Sequence, residues 1–152
     1  MDLIYNITGV NGDIKIDFTS DGVKDLEDAH GSIVFTFYNG KYVMTYHNKR
    51  KGWEFPKGKR EKGETPLECA LRETLEETGA ILASIEPLGY YNVTSDSGVF
   101  KTAIYKAEVD RFETKPRWSE TDLVKLFDIL PDNLSFKDDV YKITLEYIRS
   151  IE

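Results

Sequence analysis

The chain has 152 residues, of which 40% are hydrophobic and 31% are charged, a composition typical of one folded domain with a sizeable core. Its formal net charge of −7 argues against general nucleic-acid binding. The single cysteine, Cys69, excludes an intrachain disulfide, and it is interpreted as a small packing residue. With only two histidines, a His/Cys zinc site is not expected. We predict a single domain over residues 1–152.

Targeting and membrane signals are missing from the sequence. The first six residues lack the basic and apolar regions of a signal peptide. No apolar run approaches the roughly 20 residues that a membrane span needs. We therefore predict a cytoplasmic protein with no membrane partner.

The first half of the chain has the patterns of β-strands. Residues 3–18 alternate as strands do, and 32–38 form a clearer strand of β-branched and aromatic residues. Asn39-Gly40 is a strong signal for a type I′ hairpin turn, with 41–46 as the partner strand.

A basic segment follows the hairpin. Residues 49–62 hold seven lysines and arginines against two glutamates, so the segment carries +5 and the rest of the chain −12. A polyphosphate would match this charge, whereas the alternative is an ordinary solvated surface loop. Both interpretations stay open.

A helix with readable ends comes next. Thr65 is the predicted N-cap, with Pro66 at the first helical position and Glu68 completing a capping box. Gly79 suits the left-handed residue that ends a helix. We expect the apolar side of this helix to pack on a sheet and the acidic side to face a cleft. The apolar side consists of Leu67, Leu71, Thr74, Leu75 and Thr78, and the acidic side of Glu73, Glu76 and Glu77.

The acidic side predicts a metal site. Glu73 and Glu77 are like charges at i, i+4, which destabilise an isolated helix by a few tenths of a kcal/mol. A divalent cation among the carboxylates removes this repulsion, and hard oxygen ligands favour Mg²⁺ or Mn²⁺ over zinc. Arg72 can offset part of the repulsion by bonding Glu64 or a helix glutamate. The alternative is a solvated acidic helix face.

The rest of the chain predicts more strands and a last helix. Residues 85–93 and 99–109 read as two strands joined through 95–98, and 123–129 as a short strand. Ser135 is the predicted cap of the last helix. Its apolar stripe consists of Phe136, Val140, Ile143, Tyr147 and Ile151. A helix between groups of strands and another at the end predict an α/β fold with a mixed sheet covered on both faces.

The residues around the acidic helix form a spaced pattern, Gly58-x5-Glu64-x7-Arg72-Glu73-x-x-Glu76-Glu77-x-Gly79. This pattern resembles the Nudix box, whose two bulky apolar positions are held here by the smaller or more polar Thr74 and Ala80. Residues 53–59 read Trp-Glu-Phe-Pro-Lys-Gly-Lys, where MutT- and YtkD-type members commonly have Trp-Glu-Phe-Pro-Gly-Gly-Lys. A lysine at position 57 is more usual in relatives that cleave dinucleoside polyphosphates or diphosphoinositols.

The resemblance implies an α/β/α sandwich that hydrolyses a nucleoside diphosphate linked to another group. It implies that Glu73, Glu76 and Glu77 bind divalent ions together with the backbone carbonyl of Lys57. Glu73 is also the candidate general base, and Glu64 and Arg72 would orient the site.

Four side chains are further candidates for the site. Lys57 and Lys59 are candidates for substrate binding beside the box. Relatives often place another acidic residue on a loop that faces the metal helix, and Glu120 is the best match to it. Glu120 is then a metal ligand or an alternative base, and otherwise it is a solvated carboxylate. Trp118 either stacks on a nucleobase or covers the edge of the core.

These residues favour a Mg²⁺-dependent pyrophosphohydrolase that cleaves nucleoside or deoxynucleoside triphosphates, 8-oxo-dGTP among them, to a monophosphate and pyrophosphate. One alternative is a Nudix hydrolase of dinucleoside polyphosphates or of RNA 5′-triphosphate ends. Another is a nucleotide-binding Nudix module without turnover. The expected partner is a small nucleoside polyphosphate, and a homodimer is left open.

Overall fold

The computed structural model describes residues 3–19, 24–114 and 121–152. In these ranges the chain forms a nine-stranded sheet, two α-helices and a short 3-10 helix at Lys24–Leu26. The strands are β1 Leu3–Gly9, β2 Gly12–Phe18, β3 Gly31–Tyr38, β4 Lys41–His47, β5 Gly52–Glu54, β6 Lys57–Lys59, β7 Ala80–Ser95, β8 Gly98–Phe112 and β9 Thr121–Phe127. The helices are α1 Pro66–Thr78 and α2 Val140–Ile151.

The sheet is mixed, with the main order β1-β2-β7-β8-β3-β4-β5. β3 and β8 run parallel, and the other paired strands of the described residues run antiparallel. β9 pairs with β4, and the short β6 pairs with the first half of β3. Asn39 and Gly40 have φ angles of 51° and 79° between β3 and β4, which confirms the predicted hairpin.

The central strand β3 is buried on both faces, and its alternating side chains explain the layers. Ile33, Phe35 and Phe37 point into a core shared with α2. Val34, on the opposite face, joins a core that contains Ala70 of α1. Because each face of the sheet carries one helix, the predicted α/β/α sandwich with a mixed sheet is confirmed.

The orientation of α1 differs from the sequence prediction. Leu67, Leu71 and Leu75 were expected to pack on the sheet, but they are 43%, 43% and 37% exposed. The side chains buried against the sheet are smaller, namely Cys69, Ala70, Thr74 and Thr78. The helix approaches the sheet closely enough that Ser32 of β3 donates a hydrogen bond to the carbonyl of Pro66 at 2.7 Å. Only small residues fit at that separation, so the leucines lie on the outer side.

The last helix begins later than predicted. It starts at Val140, and Asp138, rather than Ser135, accepts a hydrogen bond from its first N–H at 3.1 Å. The backbone before it is held instead by β5, because Ser135 N–H donates to the carbonyl of Trp53 at 3.2 Å. Phe136 therefore precedes the helix, and Ile151 of the predicted stripe is 50% exposed.

The remaining predicted strands are present. The pair expected at 85–93 and 99–109 forms the longer strands β7 and β8, and the strand expected at 123–129 is β9, which ends at Phe127. Neither helix of the described ranges has the length and apolarity needed to cross a bilayer.

Candidate active site

The ends of α1 are fixed by local hydrogen bonds. Thr65 Oγ1 accepts from the Glu68 N–H at 3.1 Å, and the Glu68 carboxylate accepts from the Thr65 N–H at 2.9 Å, which is the predicted capping box. Gly79 has φ 72°, and its N–H donates to the carbonyl of Leu75. These bonds set the start and end of the segment that carries Glu73, Glu76 and Glu77.

The two positions that depart from the box pattern are buried. The Thr74 hydroxyl donates to the carbonyl of Ala70 at 2.7 Å, so its polar atom is satisfied within the helix. Ala80 is 3% exposed and begins β7. The small Thr74 side chain fits the close packing of α1 on the sheet, and Ala80 packs with Val43 and Val109.

Arg72 organises the acidic groups of the site. Its Nε and Nη2 donate to the two oxygens of Glu64 at 2.7 and 2.9 Å, as the sequence predicted, and Nη2 also donates to the carbonyl of Lys59 at 3.0 Å. Nη1 donates to Glu73 at 2.5 Å and to Glu76 at 3.4 Å. The bonds with Glu64 raise the pKa of Arg72 and lower that of Glu64, so this pair stays ionised.

Gly58 and Glu73 approach each other closely. A Cβ atom built on Gly58 would lie 2.1 Å from the carboxyl carbon of Glu73 and 2.4 Å from each of its oxygens. β6 carries Gly58 beside β3, and the Cys69 thiol donates to its carbonyl at 3.5 Å. Glycine therefore lets the carboxylate lie against the backbone, and a Cβ atom here would move it.

The carboxylates nearest to β6 are partly withdrawn from water. Burial raises the pKa of Glu73, against the opposing effect of Arg72. Burial raises the pKa of Glu77 well above its usual range, and the neighbouring charge of Glu73 adds to the shift. The backbone N–H of Lys57 donates to Glu77 at 3.3 Å. Two half-buried carboxyl groups in contact favour holding a proton or a cation between them.

A second set of cationic and aromatic side chains lines the same cleft as these carboxylates. Arg50 is paired with Glu54 through bonds of 2.6 and 3.0 Å. The ammonium group of Lys57 lies 4.2 Å from the centre of the Phe136 ring. Together with α1 these residues enclose a cleft of about 810 Å³. Its lining is Arg50, Lys57, Gly58, Lys59, Glu61, Arg72, Glu73, Glu76, Glu77, Phe100 and Phe136.

The structure brings most of the predicted site residues together. Glu73, Arg72, Glu76, Glu77, Lys57 and Lys59 line the cleft. Glu64 lies behind them and bonds Arg72. Trp118 and Glu120 lie outside the described residues.

Sequence reasoning missed four residues that line the cleft, namely Arg50, Glu61, Phe100 and Phe136. Arg50 was part of the basic segment but was not singled out, and Phe136 was assigned to the stripe of the last helix. The signal for Arg50 was its spacing of four residues from Glu54 within that segment. The Cys69 side chain is fully buried, and this burial raises the pKa of its thiol to about 11, as expected for a packing residue.

Comparisons with known proteins identify the family. The Nudix domain family matches residues 29–136. The chain belongs to the Nudix family. A candidate 8-oxo-dGTP diphosphatase, YtkD of Bacillus subtilis, is 39% identical over 120 residues, which cover 74% of this chain and 75% of that protein. The chain is therefore a Nudix hydrolase of the pyrophosphohydrolase class.

Solved structures and other Nudix relatives agree. The crystal structure of a mutant of the Bacillus subtilis pyrophosphohydrolase BsRppH superposes with a TM-score of 0.86 and 32% identity, covering 96% of each chain. An RNA pyrophosphohydrolase from Stenotrophomonas maltophilia is 39% identical over 57 residues, which are 38% of this chain but only 28% of that protein. The similarity to BsRppH spans the whole fold, whereas the similarity to the RNA enzyme is local.

Nudix hydrolases generally use divalent metal ions, and the side chains of this cleft fit such an ion. The donors are carboxylate oxygens, which divalent hard cations prefer. Gly58 leaves space for the Glu73 carboxylate that any side chain would fill. Among the residues described, no three acidic, histidine or cysteine side chains already converge as a ligand cluster, and Arg72 is the countercharge of Glu73 and Glu76.

Proposed function

We propose that this Nudix hydrolase cleaves a phosphoric anhydride bond of a nucleoside or deoxynucleoside triphosphate and releases a monophosphate and pyrophosphate. The observation that supports it best is the division of one cleft into an acidic wall on α1 and a basic wall with Arg50, Lys57 and Lys59. A polyphosphate carries enough charge to need both a metal and side-chain cations. The similarity to YtkD makes 8-oxo-dGTP the first nucleotide to test.

The proposed cofactor is Mg²⁺, with Mn²⁺ as the substitute. Glu73, Glu76 and Glu77 would hold it together with the backbone carbonyl of Lys57. When bound, the ion supplies charge neutralisation at the phosphate oxygens and makes water more acidic. The buried carboxylates would then have a cation in place of a shared proton.

The side chains of the cleft have distinct proposed roles. Glu73 is the general base, and the burial that raises its pKa brings it closer to the neutral range in which proton transfer is efficient. Arg72 holds Glu73 in place, and Glu64 holds Arg72. Lys57 and Lys59 bind phosphate oxygens. Base stacking by Trp118 and a ligand or base role for Glu120 remain predictions from the sequence.

A second candidate substrate is the 5′-triphosphate end of RNA. It is supported by the local similarity to the RNA pyrophosphohydrolase. Dinucleoside polyphosphates are another candidate substrate, because a lysine at position 57 is more usual in relatives that cleave them. A binding module without turnover is disfavoured, since pure binding does not require the complete carboxylate set.

Product analysis tests the proposed function. The protein is incubated with Mg²⁺ and equal concentrations of dGTP, 8-oxo-dGTP, a dinucleoside tetraphosphate and a triphosphorylated oligonucleotide. We expect a monophosphate and pyrophosphate from the free nucleotides. Glu73→Gln should keep the fold and lower kcat by about 10²–10⁴-fold, the usual contribution of a general base. Preferred cleavage of the oligonucleotide would replace the nucleotide proposal, and near-normal kcat in a folded variant would remove Glu73 from the mechanism.

A further inference from the structure

A buried carboxylate behind the basic wall fixes one of its cations. Glu54 is 2% exposed, and its two oxygens accept hydrogen bonds from Nε and Nη2 of Arg50 at 2.6 and 3.0 Å. Burial of a carboxylate is tolerated when the group is paired and hydrogen-bonded. Two bonds to one carboxylate also hold the planar guanidinium in a single orientation. Arg50 is therefore oriented before a ligand arrives.

The oriented guanidinium still faces the cleft. The Arg50 side chain is 46% exposed despite its pairing, and it lines the same cleft as Glu77. Its Nη1 donates no hydrogen bond to any residue of the described ranges. The group is thus a fixed, permanently charged donor with one edge available to a ligand.

A second cation lies over the same aromatic ring. The Arg50 guanidinium carbon is 5.2 Å from the centre of the Phe136 ring, and the Lys57 ammonium is 4.2 Å from it. Within the described part of the chain, no carboxylate pairs with Lys57. Two positive groups held beside one ring repel each other, and an anion bound between them would relieve that repulsion.

We propose that Arg50 and Lys57 together bind the terminal phosphate of the substrate, and that Glu54 is the positioning residue for Arg50. A terminal phosphate has three non-bridging oxygens and close to two negative charges, whereas an internal phosphate has two such oxygens and one charge. The guanidinium of Arg50 and the ammonium of Lys57 together offer several donors and two positive charges, which match a terminal phosphate better than an internal one.

This inference rests on the proposed cleavage of polyphosphates and adds a selection rule to it. The pair selects substrates with a free polyphosphate end, which includes nucleoside triphosphates and RNA 5′-triphosphates. Dinucleoside polyphosphates have a nucleoside on both ends, so they lack the group that Arg50 and Lys57 recognise. The rule therefore disfavours the dinucleoside polyphosphates that the type of residue 57 had left as an alternative.

The selectivity of an Arg50 variant tests the rule. We expect Arg50→Gln to lower kcat/KM for dGTP by about 10- to 100-fold, as for loss of a charged hydrogen bond, and for diadenosine tetraphosphate by less than about 3-fold. The matched control is Lys49→Gln, which removes the same charge from an exposed neighbour that does not line the cleft. Equal losses on both substrates, or no loss beyond the control, would overturn the proposal.

A double variant separates phosphate binding from a purely structural role. Arg50→Gln alone leaves Glu54 buried and unpaired, which can unfold the protein. Arg50→Gln combined with Glu54→Gln removes both charges. The proposal is supported if the folded double variant has a lower kcat/KM for dGTP but a nearly unchanged kcat/KM for diadenosine tetraphosphate. Recovery of normal dGTP turnover in the double variant shows instead that Arg50 serves only to neutralise Glu54.

A binding measurement keeps this inference distinct from the proposed function. Inorganic tripolyphosphate is titrated into wild type, Lys49→Gln and the double variant in Mg²⁺ by calorimetry. If the wild type cleaves none of the substrates, the proposed function fails, but the titration still tests the cation pair. At least a tenfold weaker affinity in the double variant supports it, and an affinity equal to that of Lys49→Gln contradicts it.

Discussion

Single residues set the limits of this cleft, and Gly58 sets the tightest one. The hypothetical Cβ of Gly58 overlaps the carboxylate of Glu73, and the nearest atoms belong to a side chain that Arg72 also holds. A Cβ atom at this position would therefore move the carboxylate out of its place beside Arg72. In the sequence, Gly58 was only a fixed position of the pattern, whereas the structure shows that its missing side chain leaves space for a carboxylate.

Gly58→Ala is expected to displace the Glu73 carboxylate and to lower kcat by at least about tenfold, because small misplacements of catalytic groups have large effects. Enzyme kinetics on the folded fraction measure this. The control is Gly40→Ala in the β3–β4 turn, which has φ 79° and open space around its Cβ position. That variant should lose about 1 kcal/mol of stability from backbone strain and keep its kcat. Equal kcat values for the two variants would refute the spatial explanation.

The sequence predicted the acidic residues and the contact between Arg72 and Glu64, because their signals are local and carried by charge. It did not predict the contacts of Arg50 and Phe136. These two residues lie far apart in the sequence and meet through tertiary packing, and no local pattern encodes that approach. Phe136 also matched a helical stripe, so its apolar character favoured the wrong element.

At the scale of elements, α1 shows why its ends were predictable and its rotation was not. The capping box and Gly79 act through neighbouring backbone groups. The rotation depends on how closely the helix approaches β3, and Ala70 and Thr74 are fully buried where larger leucines would not fit. Hydrophobic spacing identifies an apolar stripe, but it does not report the width of the gap that the stripe must enter.

The rotation of α1 predicts opposite effects for two neighbouring residues. Leu71→Ala should change the free energy of unfolding by less than about 1 kcal/mol, since the side chain is 43% exposed. Ala70→Leu should destabilise by about 1–3 kcal/mol or more through overpacking. Urea unfolding followed by circular dichroism measures both. A larger loss for Leu71→Ala than for Ala70→Leu would contradict the orientation described here.

At the scale of the whole molecule, the protein carries −7 and still presents a basic wall to its ligand. The sequence predicted this asymmetry from the segment 49–62. It also predicted the layers of the fold, because strand and helix periods differ clearly along the chain. The bounds of the cleft depend on contacts between distant segments, which a single sequence does not show.

The buried carboxylates link stability, pH and metal. The raised pKa of Glu77 means that the folded protein holds this proton more tightly than the unfolded chain, whose usual pKa is near 4.5. Stability without metal therefore falls as pH rises from that value through the raised pKa. A divalent ion can replace the proton, so its stabilising effect should grow with pH.

Thermal unfolding at pH 5.5 and 8 in chelator and in Mg²⁺ measures this linkage. We expect Mg²⁺ to raise Tm by at least about 2 °C more at pH 8 than at pH 5.5, which is on the order of 1 kcal/mol for a chain of this size. Glu77→Gln should flatten the pH dependence in chelator and reduce the gain from Mg²⁺. If Mg²⁺ raises Tm equally at both pH values, or equally in Glu77→Gln and wild type, the proposed exchange of proton and metal is contradicted.

The two walls of the cleft come from segments that leave the ribosome at different times. α1 brings the acidic wall, and β6 has already been made when it emerges. Phe136 follows only after the long β7–β8 hairpin, and Tyr141 of α2 then accepts a hydrogen bond from the Phe55 N–H at 3.2 Å. A nascent chain thus carries its carboxylates before it has the groove that confines a substrate. Synthesis therefore delivers the charged residues of the cleft first and Phe136, which completes its lining, last.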